Sequence, residues 1–156
     1  MRRRARSSEA DKGILIVGVD KLLTQLARCC KPAPPDPILG FVTRGKGVSI
    51  HRADCSNFAN LVATHPERVI ETEWGGPTDG VFAVDIVVDA HDRQGLLRDI
   101  SEVFAREKIN VIAVNTQSRQ GNANMGFTAE INNVQQLKRM LALIHEVQGV
   151  VGARRA

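Results

Sequence analysis

The sequence predicts an α+β protein built of two small units, a cysteine-containing α/β module followed by a βαββαβ domain. Three observations carry this prediction. The 156 residues suffice for one ordinary domain or for two small ones. A run of turn-forming residues, Gly75–Gly80, interrupts the chain near its middle. After this run, apolar residues follow strand spacing and helix spacing in turn, whereas all three cysteines lie before it.

We therefore expect four segments: a flexible basic arm at residues 1–12, a cysteine-containing module at 13–75, a linker at 76–80 and a folded domain at 81–156. The arm holds five basic and two acidic side chains and few apolar ones, so it lacks the material for a core. The linker consists of Gly, Pro, Thr and Asp, a composition typical of turns and loops.

The first half of the 81–156 segment predicts a strand, a helix and a second strand. Apolar residues alternate with others along Phe82–Val88, as in a strand with one buried face. After the turn at His91–Gly95, apolar residues recur at helical spacing and predict a helix from Leu96 to about Lys108. The stretch Ile109–Thr116 is rich in β-branched residues and predicts the second strand.

The second half of this segment completes the pattern. Gln120–Asn122 supplies turn residues for a hairpin, and Met125–Ile131 alternates as a third strand. Asn132–Asn133 predicts the N-cap of a second helix, which Gly149 ends before a short final strand at Val150–Arg154. The order β-α-β-β-α-β is that of the ferredoxin-like fold, an antiparallel sheet with two helices on one face.

The module before the linker carries a set of metal-ligand residues. The set has the Cys₃His composition that suits tetrahedral Zn²⁺ and consists of Cys29, Cys30, His51 and Cys55. Adjacent cysteines point apart in a strand and converge only in a turn, which the following Pro32 permits. These residues therefore predict a structural zinc site. Three buried inert cysteines with a hydrogen-bonded histidine are the alternative interpretation.

Basic residues accompany the cysteines. Between residues 21 and 52 the chain has six basic side chains and one acidic one, Asp36. Because Lys and Arg neutralise phosphates, this part is expected to bind a polyanion such as RNA, with a solvated basic surface as the alternative. Aromatic residues make up only 4% of the chain, which favours recognition of shape and phosphate over base stacking. The candidate RNA-binding residues are Arg28, Lys31, Arg44, Lys46 and Arg52.

Several classes of protein are disfavoured by composition. No apolar stretch is long enough to cross a membrane, and the basic start Met1–Arg4 lacks the apolar segment of a secretory signal, so we expect a cytoplasmic protein. An odd number of cysteines argues against a disulfide framework. The pair His91-Asp92 occurs in metal-dependent phosphohydrolases, but His65 and His145 lie in no matching context. A cysteine-dependent enzyme is a further alternative, although no oxyanion loop or orienting third residue is recognisable.

The sequence of the turn and helix start in the 81–156 segment, AHDRQGLLRDI at Ala90–Ile100, resembles an ACT domain. The resemblance implies a regulatory module that binds small molecules, commonly amino acids. Physically, Gly95 allows backbone amides to approach a ligand, and the helix N-terminus beyond it favours a carboxylate. The candidate ligand-binding residues are Asp92, Gln94, Gly95 and Leu96. Alternatively, Gly95 only satisfies the turn, and the sheet edge serves dimerisation or docking.

Together with the ACT-like unit, Leu26–Pro32 and Ile38–Cys55 resemble the C-terminal regulatory region of RelA/SpoT-type (p)ppGpp synthetases of the stringent response. The double cysteine, the run Gly-x-Gly-Val-x-Ile-His and the pair Asp-Cys recur in order, and the context Gln25–Cys30 is nearer the RelA branch. The resemblance implies a zinc-finger or conserved-cysteine module and an ACT domain without catalytic activity. It also implies docking on ribosomal RNA when uncharged tRNA occupies the A site, and restraint of a catalytic half elsewhere in the parent enzyme.

Two further expectations follow from the resemblance. A homodimer through the ACT domain is one. The other concerns a departure from the family, which usually has Pro-Gly-Asp after the double cysteine where this chain has Pro34-Pro35-Asp36. Because the missing glycine removes a position for positive φ, we expect the turn before Ile38 to be built differently.

Overall fold

The computed structural model of the chain describes the backbone of residues 3–4 and 14–16, and residues 24–45, 47–75 and 80–156 in full. The chain divides into two compact units, Met1–Gly80 and Val81–Ala156, and each is described by itself. The proposed basic arm and the linker lie almost entirely outside the described residues, as does Lys46. Within the described part, no helix combines the length and the apolar character needed to traverse a lipid bilayer.

The N-terminal unit consists of a mixed six-stranded sheet and one α-helix in the described residues. In chain order the strands are β1 (Arg3–Arg4), β2 (Ile14–Ile16), β3 (Thr24–Leu26), β4 (Ile38–Thr43), β5 (Gly47–Arg52) and β6 (Val69–Trp74). The helix α1 (Ser56–Thr64) and a 3-10 turn (Pro66–Arg68) connect β5 to β6. The sheet order is β1-β2-β6-β4-β5-β3, and β3 pairs with β5 in parallel while the other pairs are antiparallel.

Among the described residues of this unit, two apolar clusters are buried. One contains Ile38, Val48 and Ile50, and the other brings Phe41 and Phe58 together with two of the cysteines. The second cluster exists because α1 buries Phe58 against the sheet, where its ring meets Phe41 edge-on at a centroid distance of 6.4 Å. The cysteine-bearing cluster is therefore part of the core of this unit.

The turn between the double cysteine and β4 closes without a glycine. The backbone N–H of Asp36 donates to the carbonyl of Ala33 at 2.8 Å, and the N–H of Ala33 donates to the Asp36 carboxylate at 2.8 Å. The Pro34–Pro35 peptide bond in this turn is cis. Trp74 on β6 donates its indole N–H to the carbonyl of Asp36 at 2.9 Å, which ties the turn to the sheet.

The C-terminal unit confirms the predicted βαββαβ order and fold class. Its elements are β7 (Phe82–His91), α2 (Leu96–Arg106), β8 (Asn110–Arg119), β9 (Asn122–Ile131), α3 (Val134–His145) and β10 (Val150–Arg155). The strands form an antiparallel sheet in the order β10-β7-β9-β8. Alternate side chains of β7 and β9 are buried together with one stripe of each helix, so both helices cover the same face.

Two helix ends show how local chemistry sets the boundaries. The predicted N-cap of α3 is confirmed, because the Asn133 side chain accepts a hydrogen bond from the N–H of Gln136 at 2.9 Å. The predicted end of α2 near Lys108 is wrong by two residues. Lys108 adopts a left-handed conformation with φ of 56°, and the N–H of Ile109 reaches back to the carbonyl of Phe104. This is a Schellman ending with lysine at the position where glycine is usual.

Candidate metal centre

The four residues that the sequence predicts as ligands lie together in the N-terminal unit. Their ligand atoms are all within 4.8 Å of one another. Cys29 Sγ lies 3.5 Å from His51 Nδ1, 3.6 Å from Cys55 Sγ and 4.0 Å from Cys30 Sγ, and Cys30 Sγ lies 3.9 Å from His51 Nδ1. Around a tetrahedral ion with metal–ligand distances of about 2.0–2.3 Å, ligand atoms are about 3.5–3.8 Å apart. The cluster can therefore hold a metal ion with little movement.

The topology of the sheet explains why residues so distant in sequence meet. Since β3 and β5 are parallel, with Leu26 opposite Ile50, the residues after both strands emerge at the same end of the sheet. The chain turns after β3, where Lys31 has φ of 45° and donates its N–H to the carbonyl of Ala27, and this turn brings the two cysteines together. His51 lies at the corresponding end of β5.

The third cysteine is placed by the start of α1. Cys55 is the residue before this helix, and its N–H donates to the carbonyl of Arg52 in the tight turn that follows β5. Its sulfur therefore lies near the first N–H groups of the helix, those of Asn57 and Phe58. A helix N-terminus stabilises negative charge, so this position suits a thiolate.

A serine that was not among the predicted site residues contacts the ring of His51. Ser49 Oγ lies 3.0 Å from His51 Nε2. When Nε2–H donates to this hydroxyl, the Nδ1 lone pair faces the three sulfurs, which is the tautomer a metal ligand needs. The sequence does hold a signal for this contact, because residues two apart on a strand share a face.

Burial and neighbouring groups shift the pKa values of His51, Cys30 and Cys55. Burial lowers the pKa of His51, which keeps the imidazole neutral. Burial raises the pKa of the Cys30 thiol to about 12, although the Arg52 N–H donates to its sulfur at 3.3 Å. At Cys55 burial acts in the same direction, but the nearby Phe58 N–H and the other two cysteines bring its pKa below the usual value. A bound divalent cation would supply the positive charge that Cys30 lacks for ionisation.

Three of the five candidate RNA-binding residues adjoin the metal cluster. Arg28 precedes the double cysteine and is exposed, and Lys31 follows it. Arg52 follows His51, but it forms an ion pair of 2.9 Å with Asp54, and its side chain is only 19% exposed. Its charge is thus partly compensated, which composition alone does not reveal.

The remaining two candidates are in a different place. Arg44 lies in the turn between β4 and β5, and the predicted contact of Lys46 in the same turn falls outside the described residues. In the pairing of β4 with β5, Thr43 lies opposite Gly47 at this turn, and Ile38 lies opposite Arg52 at the other end, near the metal cluster. The two ends are five residues apart along the strand, which at about 3.3 Å per residue is a distance of roughly 17 Å. The candidates therefore form two groups rather than one patch.

In the C-terminal unit the candidate ligand residues surround the start of α2. Gly95 immediately precedes the helix with φ of 81°, a conformation that glycine adopts without strain. Arg93 occupies the space beside it and donates to the carbonyls of Gln148 and Gln94 and to the Asp99 carboxylate, the last at 2.8 Å. This guanidinium, through its hydrogen bond and charge, lowers the pKa of Asp99. An atom at the Cβ position of Gly95 would lie 3.4 Å from the guanidinium of Arg98 and 3.6 Å from that of Arg93.

Two surface depressions in this unit lie elsewhere, on the strands of the sheet. The larger has a volume of about 480 Å³ and includes Asp89, His91 and Arg119 in its lining, and the smaller, of about 260 Å³, lies over Gly126. None of Asp92, Gln94, Gly95 or Leu96 lines either depression.

Comparison with known proteins assigns a family match to each unit. The sequence pattern of the RelA/SpoT RIS domain matches residues 14–75, and that of the ACT domain matches residues 78–155. Among solved structures, the ACT domain of a GTP pyrophosphokinase from Chlorobium tepidum is similar with a TM-score of 0.45 at 20% identity, covering 49% of this chain and 99% of that chain.

Curated relatives match across both units. A GTP pyrophosphokinase of Haemophilus influenzae is 44% identical over 151 residues, and that of Escherichia coli K12 is 43% identical over 148 residues. A GTP pyrophosphokinase of Streptomyces coelicolor is 43% identical over 150 residues. These alignments cover 95%, 93% and 96% of this chain but only 20%, 20% and 18% of the relatives. The chain thus spans about a fifth of the length of these relatives.

Proposed function

The chain belongs to the ACT-domain family and also carries a RelA/SpoT RIS domain. From this premise we propose that it is a non-catalytic regulatory region of a RelA-type (p)ppGpp synthetase. The observation that carries the proposal is the similarity to GTP pyrophosphokinases across both units. The alignments cover only about a fifth of these relatives, and the two matched domains are a RIS domain and an ACT domain, which supports a regulatory role.

The ion proposed for the cluster is structural Zn²⁺. Three sulfurs and one imidazole nitrogen form a soft ligand set that suits Zn²⁺ and not Mg²⁺ or Ca²⁺. Four protein ligands leave no open position for a substrate, which is typical of structural zinc sites. In this role the ion would be held by Cys29, Cys30, His51 and Cys55. It would thereby connect the turn after β3, the end of β5 and the start of α1.

The proposed partner of the N-terminal unit is the ribosome. Arg28 and Lys31 flank the metal cluster, so a rigid metal site would present both cations in a defined position, and Arg44 would provide a second contact. Docking on ribosomal RNA with uncharged tRNA in the A site would report amino-acid starvation. The same docking would release a catalytic half of the parent enzyme from restraint.

Salt-dependent binding of ribosomes tests this proposal. The logarithm of the association constant should fall with the logarithm of salt concentration, with a slope of about −0.7 to −0.9 per phosphate neutralised. The double variant Arg28→Ala, Lys31→Ala should flatten the total slope by up to about 2. The matched control Arg119→Ala, Arg154→Ala removes the same charge from exposed positions of the ACT unit and should leave the slope unchanged. Equal flattening by both variants would contradict docking through the N-terminal unit.

An amino-acid-binding ACT module that senses metabolites directly is the second candidate function. Its supporting observation is the left-handed Gly95 at the start of α2, beside Asp92, Gln94 and Leu96. Calorimetry of the chain against the twenty amino acids tests it directly. A ligand that binds at micromolar concentration and is lost in Gly95→Val would favour this function, whereas the position of Arg93 leads us to expect none.

A homodimer through the ACT unit is a related proposal. Strand β8 is an edge of the sheet, and its apolar residues Ile112 and Val114 are 55% and 50% exposed. An edge strand offers unpaired backbone groups to a second strand. Light scattering should find a dimer that Val114→Lys converts to a monomer, and a monomeric wild type would contradict the proposal.

A further inference from the structure

The four residues of the metal cluster differ sharply in exposure. Cys29 is exposed, whereas Cys30, His51 and Cys55 are 9%, 5% and 8% exposed. A small oxidant in solution can therefore approach the sulfur of Cys29 more readily than the sulfurs of Cys30 and Cys55. In a zinc site that sulfur is a thiolate, which is the reactive form of cysteine.

The exposed sulfur has one suitable partner for a disulfide. Cys29 Sγ lies 3.6 Å from Cys55 Sγ, so a disulfide of about 2.05 Å requires an approach of roughly 1.5 Å. Cys30 Sγ is farther, at 4.0 Å. It is also the adjacent residue, and consecutive Cα atoms about 3.8 Å apart fall below the range of about 4.4–6.8 Å that disulfides span. The backbone N–H of Arg52 holds the Cys30 sulfur in its buried position as well.

We infer that Cys29 and Cys55 form a peroxide-sensitive pair whose oxidation to a disulfide releases the metal. The inference rests on the zinc site of the proposed function. Peroxide transfers one oxygen to the Cys29 thiolate, giving a sulfenic acid and hydroxide. The Cys55 thiolate then attacks that sulfur, so that the S–S bond forms, the S–O bond breaks and hydroxide leaves. The two cysteine sulfurs are oxidised and the peroxide is reduced, so no other reactant is needed.

The disulfide removes two of the four metal ligands at once. Cys30 and His51 alone cannot complete a tetrahedral zinc site, so the ion is lost to solution. The turn that carries Arg28 and Lys31 then loses the ion that joins it to β5 and α1. Oxidation would thereby act on the surface proposed to bind RNA, and reduction in the presence of zinc would restore it.

The test uses the full chain loaded with zinc. Its zinc content is measured first, hydrogen peroxide is added, and released zinc is followed with a colorimetric chelator. We expect zinc to fall from about one to about 0.1 per chain, with a mass loss of about 2 Da for the two hydrogens removed. Peptide mapping should find a Cys29–Cys55 bridge, and dithiothreitol with added zinc should reverse both changes.

The variant Cys29→His separates the chemistry from simple damage. It keeps four zinc ligands but removes the oxidisable exposed sulfur, so it should retain its zinc under the same peroxide treatment. If this variant takes up no zinc, the wild-type peptide map decides alone. Zinc that stays bound in the wild type, or a release that leaves Cys29 and Cys55 unlinked, overturns the inference. A chain that contains no zinc before peroxide is added overturns the zinc site itself, and the inference with it.

Discussion

In the C-terminal unit, the buried side chains form an apolar layer between one face of a sheet and two helices, with Phe127, Ile86 and Met140 fully enclosed. In the N-terminal unit, one of the two core clusters contains Cys30 and Cys55 beside Phe41 and Phe58. The first arrangement is stabilised by the removal of apolar surface from water. The second places thiols where a larger unit would have aliphatic side chains, and the proposed metal would supply the stabilisation that such a small apolar cluster lacks. The comparison therefore sets a purely apolar core against a core whose stability, in our proposal, also depends on a bound ion.

Removing a zinc ligand should have the largest effect. Cys55→Ser should unfold the N-terminal unit and leave the ACT unit folded, because the free energy of metal binding, of the order of 10 kcal/mol for small zinc modules, is free energy of folding. Circular dichroism and zinc analysis check the result. The adjacent exposed residue provides the control, since Ser56→Ala should keep both zinc and fold.

A core truncation in the other unit should give the reverse pattern. Phe127→Ala should destabilise the ACT unit by about 3–5 kcal/mol, because it leaves a cavity in a fully packed layer. Its zinc content should remain at one per chain, which separates the two units experimentally. If zinc is lost in this variant, the units are not stabilised independently.

These two predictions depend on features that the sequence reveals to different degrees. In the ACT unit, alternation and helical spacing are local signals, so the element order was predictable from residues such as Phe82 and Ile100. The end of α2 was not, because lysine at position 108 lacks the glycine signal of a helix end. In the N-terminal unit the ligand types were visible, but the parallel pairing of β3 with β5 that unites them is a long-range contact with no local signal.

The contact between Ser49 and His51 should matter less than a ligand but remain measurable. Ser49→Ala should lower zinc affinity by about 10- to 100-fold, because the histidine loses the group that orients its ring. Competition with a chelator of known affinity checks the value. Ser49→Thr keeps the hydroxyl and should restore most of the affinity, and an unchanged affinity in the alanine variant would remove Ser49 from the site.

The smallest effect is expected at the start of α2. Gly95→Ala should cost about 1–2 kcal/mol in the stability of the ACT unit, because φ of 81° is unfavourable for a residue with a Cβ. The new Cβ would lie 3.4 Å from the end of the Arg98 side chain, which can move. Gly152→Ala is the matched control, since its Cβ meets no neighbouring atom within 4 Å and its φ is not positive. Equal costs for the two variants would contradict a role for backbone strain.

Hydrogen exchange of the full chain before and after chelation most directly tests the central claim, that a metal stabilises one unit and an apolar core the other. We predict that the zinc-loaded chain protects the amides of both units. After zinc removal, protection should disappear from β3, β5 and α1, around Cys29, His51 and Cys55, and remain unchanged from Phe82 to Arg155. Undiminished protection of the N-terminal unit without zinc, or an equal loss of protection in both units, would contradict the account.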